Sequence, residues 1–398
     1  MSPTIKARPG QRIRAAELRS LYDTHGALGT CSLLRDSLLS GALRPENFSL
    51  RALAEAFIPN WATALLPDPS NVLAGAEAAV DSTAFSNISQ QLMYSSVLEG
   101  WREADKGLAD RLCSTMDSKF SGEKIPGIGE IKDEAFDVPE GASYPESGVS
   151  EHYLETPPTT KRGIAISITK EAVFFDRTGL LIQRAQAVGN RLAMDKLKRI
   201  LRVVIGAVNN YKLDGVATNT YLTSGAYTND QSNELVDFRD IDESRVLFTR
   251  NVHPDTGNPL DASDFVDMLV SPFKEWTARR ILSGTETRVG DGATSTPVTI
   301  SENPARSLGL NLIVSALLPV LVNTDLSVTT AANANDKYWI AGNFKRAFLY
   351  IQNWPLMVEQ APPGAGNNWL RDILVQFKAG ERGVAFCQEP RFVQRNKN

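Results

Sequence analysis

Two Ser-x-x-Lys pairs, Ser167 with Lys170 and Ser271 with Lys274, have a spacing that could support nucleophilic catalysis. In such a pair the lysine amine takes the serine proton and the serine oxygen attacks a carbonyl carbon. Hydrolases built on this pair also carry S-D-N and K-T-G motifs, and this sequence has neither. A Ser-x-x-Lys hydrolase is therefore kept only as an alternative from a different functional class.

The sequence contains no phosphate-binding loop, no dinucleotide fingerprint and no nucleophile elbow. The histidines and cysteines have no metal-ligand spacing: His25, His152, His253, Cys31, Cys113 and Cys387. Three cysteines far apart also argue against a disulfide framework and for a reducing compartment. We therefore predict a protein that is not an enzyme and that holds no cofactor or metal.

The chain has 398 residues, of which 42% are hydrophobic, and a formal net charge of −4. This length suggests two or three domains, and the composition excludes a disordered or collagen-like chain. The charged N-terminus lacks the apolar stretch of a signal peptide. The most apolar run, residues 308–322, is too short to cross a bilayer. We expect a protein that is synthesised in the cytoplasm and has no membrane partner.

Charge is strongly segregated along the chain. Residues 1–19 carry a net charge of +4, residues 123–160 carry nine carboxylates against two lysines, a net −7, and residues 177–212 carry +7. A single charge run is usually the solvated face of its own element. Opposite and equal charges on neighbouring segments favour instead docking of one segment on the other, within a subunit or between subunits.

The hydrophobic pattern predicts short helices in an extended arrangement over the first 80 residues, and a further helix over 88–120. The strongest signal is an amphipathic helix over 178–213, about 50 Å long. Strands are predicted at 128–138 and 153–169, where they would form a long hairpin, and at 265–270, 310–314, 338–341 and 347–351. Residues 372–395 are predicted to form two antiparallel strands joined at 379–383.

The order of these parts resembles a tailed-phage major capsid protein of the Hong Kong 97-type fold. The resemblance rests on residues 157–163 (PPTTKRG) and 169–179 (TKEAVFFDRTG) before the long helix. It also rests on residues 338–348 (YWIAGNFKRAF) and 371–378 (RDILVQFK) near the end. It covers about residues 125–398.

The resemblance implies an α+β fold with an N-terminal arm, an extended β-hairpin loop, a peripheral domain with a long spine helix, and an axial α/β domain. The expected bounds are 1–122 for the arm and leading helices, 123–168 for the loop, 169–244 with 367–398 for the peripheral domain, and 245–366 for the axial domain.

The implied function is that of a major capsid protein, which self-assembles as hexamers and pentamers into an icosahedral shell around the double-stranded DNA of a tailed bacteriophage. Its partners would be copies of itself, a portal, scaffolding or decoration proteins, and DNA bound non-specifically. It would reside in the virion after synthesis in the bacterial host's cytoplasm. An encapsulin-like compartment shell, which shares the fold, is the alternative.

We expect the acidic loop to dock on basic residues of an adjacent subunit. The inter-subunit contact candidates are Glu130, Asp133, Glu134, Lys161, Arg162, Arg184, Arg191, Lys198 and Arg202. In a rival interpretation, the basic helix and the N-terminal arm face packaged DNA and neutralise its phosphates. Some members of this family also join subunits through a Lys–Asn bond, for which Lys132 and Lys161 lie in the right segment.

Overall fold

The computed structural model describes residues 12–40, 42–57, 77–126, 137–143, 152–175, 180–253, 257–289, 299–328, 331–361 and 373–397. These residues form a mixed α+β structure, as the sequence predicts. The chain divides into two compact units. Unit 1 consists of residues 1–106, 161–195 and 354–382, and unit 2 of residues 107–160, 196–353 and 383–398. The predicted four-part division follows functional roles rather than compactness, and it stays a prediction.

The α-helices of the described residues are α1 Ala15–Leu39, α2 Leu50–Phe57, α3 Glu77–Asp105, α4 Leu108–Leu112, α5 Lys170–Phe175, α6 Leu180–Val204, α7 Phe238–Arg250, α8 Pro272–Ser283, α9 Pro304–Ser307, α10 Leu317–Asp325 and α11 Phe344–Ala347.

The strands of the described residues are β1 Ser114–Asp117, β2 Lys124–Pro126, β3 Tyr153–Glu155, β4 Thr160–Thr169, β5 Tyr211–Leu213, β6 Val216–Thr218, β7 Asp230–Ser232, β8 Asp267–Val270, β9 Glu286–Val289, β10 Thr299–Glu302, β11 Asn311–Val314, β12 Trp339–Gly342, β13 Phe348–Gln360, β14 Ile373–Cys387 and β15 Val393–Lys397.

Unit 1 has a hydrophobic core to which the first helices contribute directly. Helix α2 buries Leu50, Leu53 and Phe57, which lie on one side of the helix because they are three and four residues apart. Helix α1 adds Leu18 and is broken at Gly26, whose φ of 68° is non-helical. The described residues 12–57 therefore have apolar partners in their own chain, and the expectation of an extended arrangement is not met there.

Two glycines let helices α3 and α6 cross closely within unit 1. A Cβ atom on Gly189 would lie 1.9 Å from the carbonyl oxygen of Val97, and one on Gly100 would lie 2.1 Å from that of Gln186. Both values are far below van der Waals contact, so only glycine permits this approach. The crossing packs the predicted spine helix against α3, within a core that also contains α1 and α2.

Unit 2 is built on a five-stranded mixed sheet with the order β11-β8-β12-β15-β7. Strand β12 is antiparallel to both of its neighbours, and all four of its residues are buried. Helix α8 packs on β8 and β11, and helix α7 packs on β15. The strands predicted at 265–270, 310–314 and 338–341 correspond to β8, β11 and β12, so the predicted α/β layer is confirmed.

Strand β15 is held in this sheet by a buried ion-pair network. Asp230 on β7 accepts hydrogen bonds from Arg395 at 3.0 and 2.8 Å and from Lys397 at 2.6 Å. The Arg395 guanidinium also donates to the carbonyl of Ile205 at 2.9 Å and lies 4.5 Å from the Tyr221 ring centroid. The carboxylate of Asp230 is only 5% exposed, so its charge depends on these partners.

Two predicted helices end earlier than the hydrophobic pattern indicates. The long helix stops at Val204 and is about 37 Å long. Gly206 adopts a φ of 76° there, and the amides of Gly206 and Ala207 donate to the carbonyls of Val203 and Arg202, which closes the helix end. The helix predicted over 88–120 ends at Asp105. Lys106 and Gly107 both have positive φ there, and after α4 the chain turns into β1.

The prediction of two strands joined at 379–383 was wrong. Residues 373–387 form one continuous strand, β14. Its glycines serve close packing: a Cβ on Gly383 would lie 2.6 Å from the carbonyl oxygen of Ile351, and one on Gly380 would lie 2.9 Å from that of Arg162. A glycine inside a strand can mark such a close approach of another backbone.

The predicted hairpin lies partly outside the described residues, because residues 127–136 and 144–151 are not among them. Its two ends are described, and there β2 pairs antiparallel with β3. The strand predicted over 153–169 is two strands, β3 and β4, interrupted at Pro157 and Pro158, which cannot donate ladder hydrogen bonds.

Candidate functional site

A groove in unit 1 lies over neighbouring parts of β13, β14 and β4, which occur in that order in their sheet. Its floor contains Gly163 and Gly380. A Cβ on Gly163 would lie 2.8 Å from the carbonyl oxygen of Ala379, so the strands meet too closely for a side chain there. The groove encloses about 550 Å³, a size typical of ligand-binding clefts.

This groove has two cations close to an aromatic ring. The Nζ atom of Lys161 lies 5.9 Å from the ring centroid of Trp354, and the Cζ atom of Arg382 lies 5.4 Å from it. Both distances fall within the range of cation–π attraction. Because β4 and β14 continue as regular strands, alternate residues point to the same face, and Arg382 follows Lys378 and Gly380 on the groove side.

Lys378 on β14 and Glu359 on β13 also line the groove and form an ion pair at 2.6 Å, and both side chains are more than half exposed. The ammonium of Lys378 lowers the pKa of the Glu359 carboxyl below its usual value. The charged residues of the groove and its border, Lys161, Lys378 and Arg382 against Glu359, carry a net charge of +2. The side chain of Met357, 41% exposed, adds an apolar surface. This combination fits an acidic partner that also carries an apolar side chain.

The predicted basic residues on α6 do not all have the same environment. Arg184 and Arg191 are exposed in unit 1, and Lys198 is exposed in unit 2. Their seven-residue spacing places them on one side of the helix. Arg202, by contrast, forms an ion pair with Asp325 at 2.9 Å inside unit 2. Its charge is thus partly neutralised within its own chain.

Two strands of the acidic segment, residues 123–160, belong to a small sheet in unit 2. This sheet has the strand order β2-β3-β5-β6, and β2 and β3 come from the segment. Strands β5 and β6 are joined by Asp214 and Gly215, which both have positive φ, as a two-residue hairpin turn requires. The Asp214 carboxylate accepts a hydrogen bond from the Tyr153 amide at 2.9 Å and lies 2.6 Å from Nδ1 of His152. These contacts lower the pKa of the Asp214 carboxyl, the amide hydrogen bond most.

A second contact in this sheet joins the oppositely charged segments identified in the sequence. Glu155 forms ion pairs with Lys212, from the basic segment, and with Lys124 at 3.6 Å. The hydrogen bond from Lys212 lowers the pKa of the Glu155 carboxyl. The expected docking between the two segments therefore occurs within one chain at this point.

We expect Asp214→Ala to loosen the fastened end of the acidic loop, because the amide of Tyr153 and the ring of His152 would both lose their acceptor. A glutamate-specific protease should then cleave residues 123–155 several times faster than in the wild type. Asp242→Ala, which removes an exposed carboxylate from α7 in the same unit, is the control. Equal cleavage rates in the two variants would show that Asp214 does not restrain the loop.

Several predicted residues lie outside the described part of the chain: Lys132, Glu130, Asp133 and Glu134. Lys161 and Arg162 are exposed on β4. The serine of the second Ser-x-x-Lys pair, Ser271, is buried, and its hydroxyl donates to the carbonyl of Asp336 at 2.7 Å. Its lysine, Lys274, bonds to Glu234 at 2.6 Å. This pair is thus engaged in structural contacts.

Among the described residues, no group of histidine, cysteine and carboxylate side chains could hold a metal ion. In the same ranges, no helix is long and apolar enough to span a bilayer.

Sequence reasoning missed Trp354, Lys378 and Arg382 as members of a site. Interpreting 379–383 as a turn would place Lys378 and Arg382 on different strands. In a single strand their spacing of four residues puts them on one face. The alternation of Lys378, Gly380 and Arg382 was the signal that could have identified this surface.

A protein-family model described as "Phage capsid protein" matches residues 154–396, more than half of the chain. Among solved structures, the chain is similar to the capsid of a native GTA particle, with 12% identity, a TM-score of 0.45, and coverage of 73% of this chain and 90% of that one. It is also similar to the structure of Gordonia phage Cozz, at 13% identity, TM-score 0.43, and 73% and 86% coverage.

The capsid of cyanophage P-SCSP1u gives 13% identity, a TM-score of 0.45, and coverage of 72% of this chain and 86% of that one. No curated protein sequence matches the chain.

Proposed function

The chain belongs to the phage capsid protein family, and on this basis we propose that it is the major capsid protein of a tailed bacteriophage, many copies of which form an icosahedral shell around double-stranded DNA. The observation that carries the proposal is the family match over residues 154–396. Exposed cations on α6 and around the groove support it, because such surfaces are available to neighbouring copies. Each contact need only be modest, since closed symmetric assembly repeats it many times.

In this proposal the fold is of the Hong Kong 97 type. Residues 123–168 form the extended loop, 169–244 with 367–398 the peripheral domain, and 245–366 the axial domain. Residues 1–122, the arm and leading helices, would lie along the inner wall or beneath a neighbour. The protein would be made in the host cytoplasm and reside in the virion. Portal, scaffolding or decoration proteins would be its other partners. An encapsulin-like compartment is not favoured, because the matching family is that of phage capsid proteins.

Electron microscopy of the expressed, purified protein tests the function directly. We expect closed shells of uniform diameter, whose formation weakens as salt rises because exposed ion pairs are screened within about 8–10 Å. A natively folded protein that stays monomeric across concentration and salt would contradict the proposal. The material inside purified particles separates the two kinds of shell, since nucleic acid supports a capsid and a protein cargo supports an encapsulin-like compartment.

If the protein is a capsid subunit, the exposed cations of α6 have two candidate binding partners. These are the acidic loop of an adjacent subunit and packaged DNA. Charge reversal of Arg184 and Arg191 distinguishes them. Failure to form empty shells would support the inter-subunit role. Normal empty shells with less DNA after packaging would support phosphate neutralisation. Unchanged shells and unchanged packaging would contradict both roles.

A further inference from the structure

We propose that the groove formed by β4, β13 and β14 binds a nucleoside phosphate, as a free nucleotide or as an unpaired residue of a nucleic-acid strand. The base stacks on the indole ring of Trp354, and the phosphate pairs with Lys161 and Arg382. This inference goes beyond the proposed function, because a shell around double-stranded DNA does not require a site for an unpaired base. It also differs from phosphate neutralisation by α6, a helix that contains no aromatic residue.

The first argument is the indole ring of Trp354 and the two cations beside it. Nζ of Lys161 lies 5.9 Å from the ring centroid, and Cζ of Arg382 lies 5.4 Å from it. Every base has a flat face that can stack on an aromatic side chain. The phosphate of the same nucleotide attracts both cations, and a guanidinium can bind its oxygens through two parallel hydrogen bonds. One ligand therefore engages the ring and both charges.

The second argument is the uneven charge of the groove. An acidic peptide with an apolar side chain would also match the ring and the two cations beside it. Glu359 opposes such a peptide, because its carboxylate lies in the groove at 2.6 Å from Lys378 and neutralises that lysine. The net charge of +2 is therefore concentrated near Trp354, since Lys378 is about 13 Å from Arg382 along β14. A nucleotide matches this distribution, because its charge is confined to the phosphate and its base offers neutral donors and acceptors.

The third argument is the form of the groove. Its floor carries no side chain at Gly163 and Gly380, where β4 and β14 approach closely. A Cβ on Gly380 would lie 2.9 Å from the carbonyl oxygen of Arg162, so a larger residue does not fit there. The groove volume of about 550 Å³ is within the roughly 300–1,000 Å³ that is typical of small-ligand sites. The exposed side chain of Met357 adds an apolar surface for the base.

Calorimetric titration of the full-length chain at low salt tests the site, with adenosine monophosphate as the probe. We expect saturable binding of one nucleotide per chain. Adenosine lacks the phosphate and inorganic phosphate lacks the base, so each should bind about tenfold more weakly or less. Trp354→Ala and Lys161→Gln/Arg382→Gln should each weaken nucleotide binding about tenfold, which corresponds to a loss of roughly 1.4 kcal/mol.

Matched controls change the same types of residue outside the groove. Trp276→Ala removes a tryptophan that is 81% exposed on α8, and Arg239→Gln/Arg306→Gln removes two charges from exposed positions of unit 2. Both should bind the nucleotide as the wild type does. Circular dichroism must show that each variant is folded, and if Trp354→Ala is not, the double variant of the groove cations decides. Equal binding by groove and control variants would overturn the proposal.

The source of the nucleoside phosphate is identified with a short strand of deoxyadenosine, used alone and in a duplex. Tighter binding of the single strand than of adenosine monophosphate identifies nucleic acid as the source, and equal affinity per nucleotide identifies the free nucleotide. A duplex that binds as tightly as the single strand, with no effect of Trp354→Ala, would overturn the proposal because no base would be stacked. Tighter binding of a glutamate-rich peptide with one phenylalanine would also overturn it, in favour of an acidic peptide.

These measurements do not depend on shell formation. A chain that binds the nucleotide but forms no shells would retain the groove site and contradict the capsid function. A chain that forms shells but binds no nucleotide would retain the capsid function and contradict the groove site.

Discussion

Replacing Gly189 with alanine is expected to prevent stable folding of unit 1. Helix propensity alone would favour alanine by about 1 kcal/mol. Packing opposes it far more strongly, because the new Cβ would lie 1.9 Å from the Val97 carbonyl oxygen and 2.8 Å from the Trp101 amide nitrogen. Both neighbours are backbone atoms of α3, so no side-chain rotation relieves the clash.

Relief would require the two helices to separate along their shared surface, and a gap of about 1 Å already forfeits roughly a quarter to a half of each dispersion contact. We therefore expect a loss of about 3 kcal/mol or more, at the upper end of overpacking effects. Urea unfolding followed by circular dichroism measures it. The control is Gln183→Ala, an exposed position on the same helix. A variant as stable as this control would show that the crossing is not close in solution.

The second large effect is expected for Asp230→Ala in unit 2. The substitution leaves the guanidinium of Arg395, 13% exposed, without the carboxylate that accepts two of its hydrogen bonds. Removing one member of a buried pair costs about 3–5 kcal/mol, because the remaining charge is uncompensated. The matched control is Asp325→Ala, which breaks a more exposed aspartate–arginine pair in the same unit. It should cost less than about 1 kcal/mol.

The pH dependence of stability provides a second measurement on Asp230. Burial raises the pKa of this carboxyl, but the hydrogen bonds and charges of Arg395 and Lys397 lower it more, so the net shift is downward. A lowered folded-state pKa stabilises the protein above the unfolded value, about 3.9, and this stabilisation is lost as pH falls through the folded value. Wild-type stability should therefore fall more steeply than that of Asp230→Ala below about pH 4. Parallel curves would exclude a stabilising role for this charge.

The hydrophobic pattern predicted helices and strands correctly where apolar spacing alone determines the element. The apolar pattern predicted short helices in the first 80 residues, of which α2 is one, and it predicted the strands that correspond to β8 and β12. Glycine was the main source of error, since it permits both turns and close packing. Gly206 ends a helix, whereas Gly380 and Gly383 allow strands to approach each other. Only the neighbouring backbone distinguishes these roles.

Only part of the candidate site could be predicted from the sequence, because its residues come from segments that are far apart along the chain. Lys161 and Arg162 were among the contact residues predicted from the sequence. Trp354 joins them only because β13 and β4 belong to the same sheet, although Lys161 and Trp354 are 193 positions apart in sequence. Likewise, nothing local to Arg202 indicates its pairing with Asp325, which is 123 residues away. Contacts between distant segments depend on strand order, which periodicity does not specify.

The position of β15 inside the sheet of unit 2 has a consequence for synthesis on the ribosome. Its pairing with β7 joins residues 165 positions apart, so at about 5–20 residues per second β7 waits roughly ten to thirty seconds for its partner. In the last part of that interval, once β12 has been synthesised, the edge of β12 that pairs with β15 also lacks its neighbour. A nascent chain therefore cannot form the complete five-stranded sheet of unit 2 until β15 has been synthesised. Chains interrupted before residue 393 would lack a central strand, which would keep them from being incorporated as finished subunits.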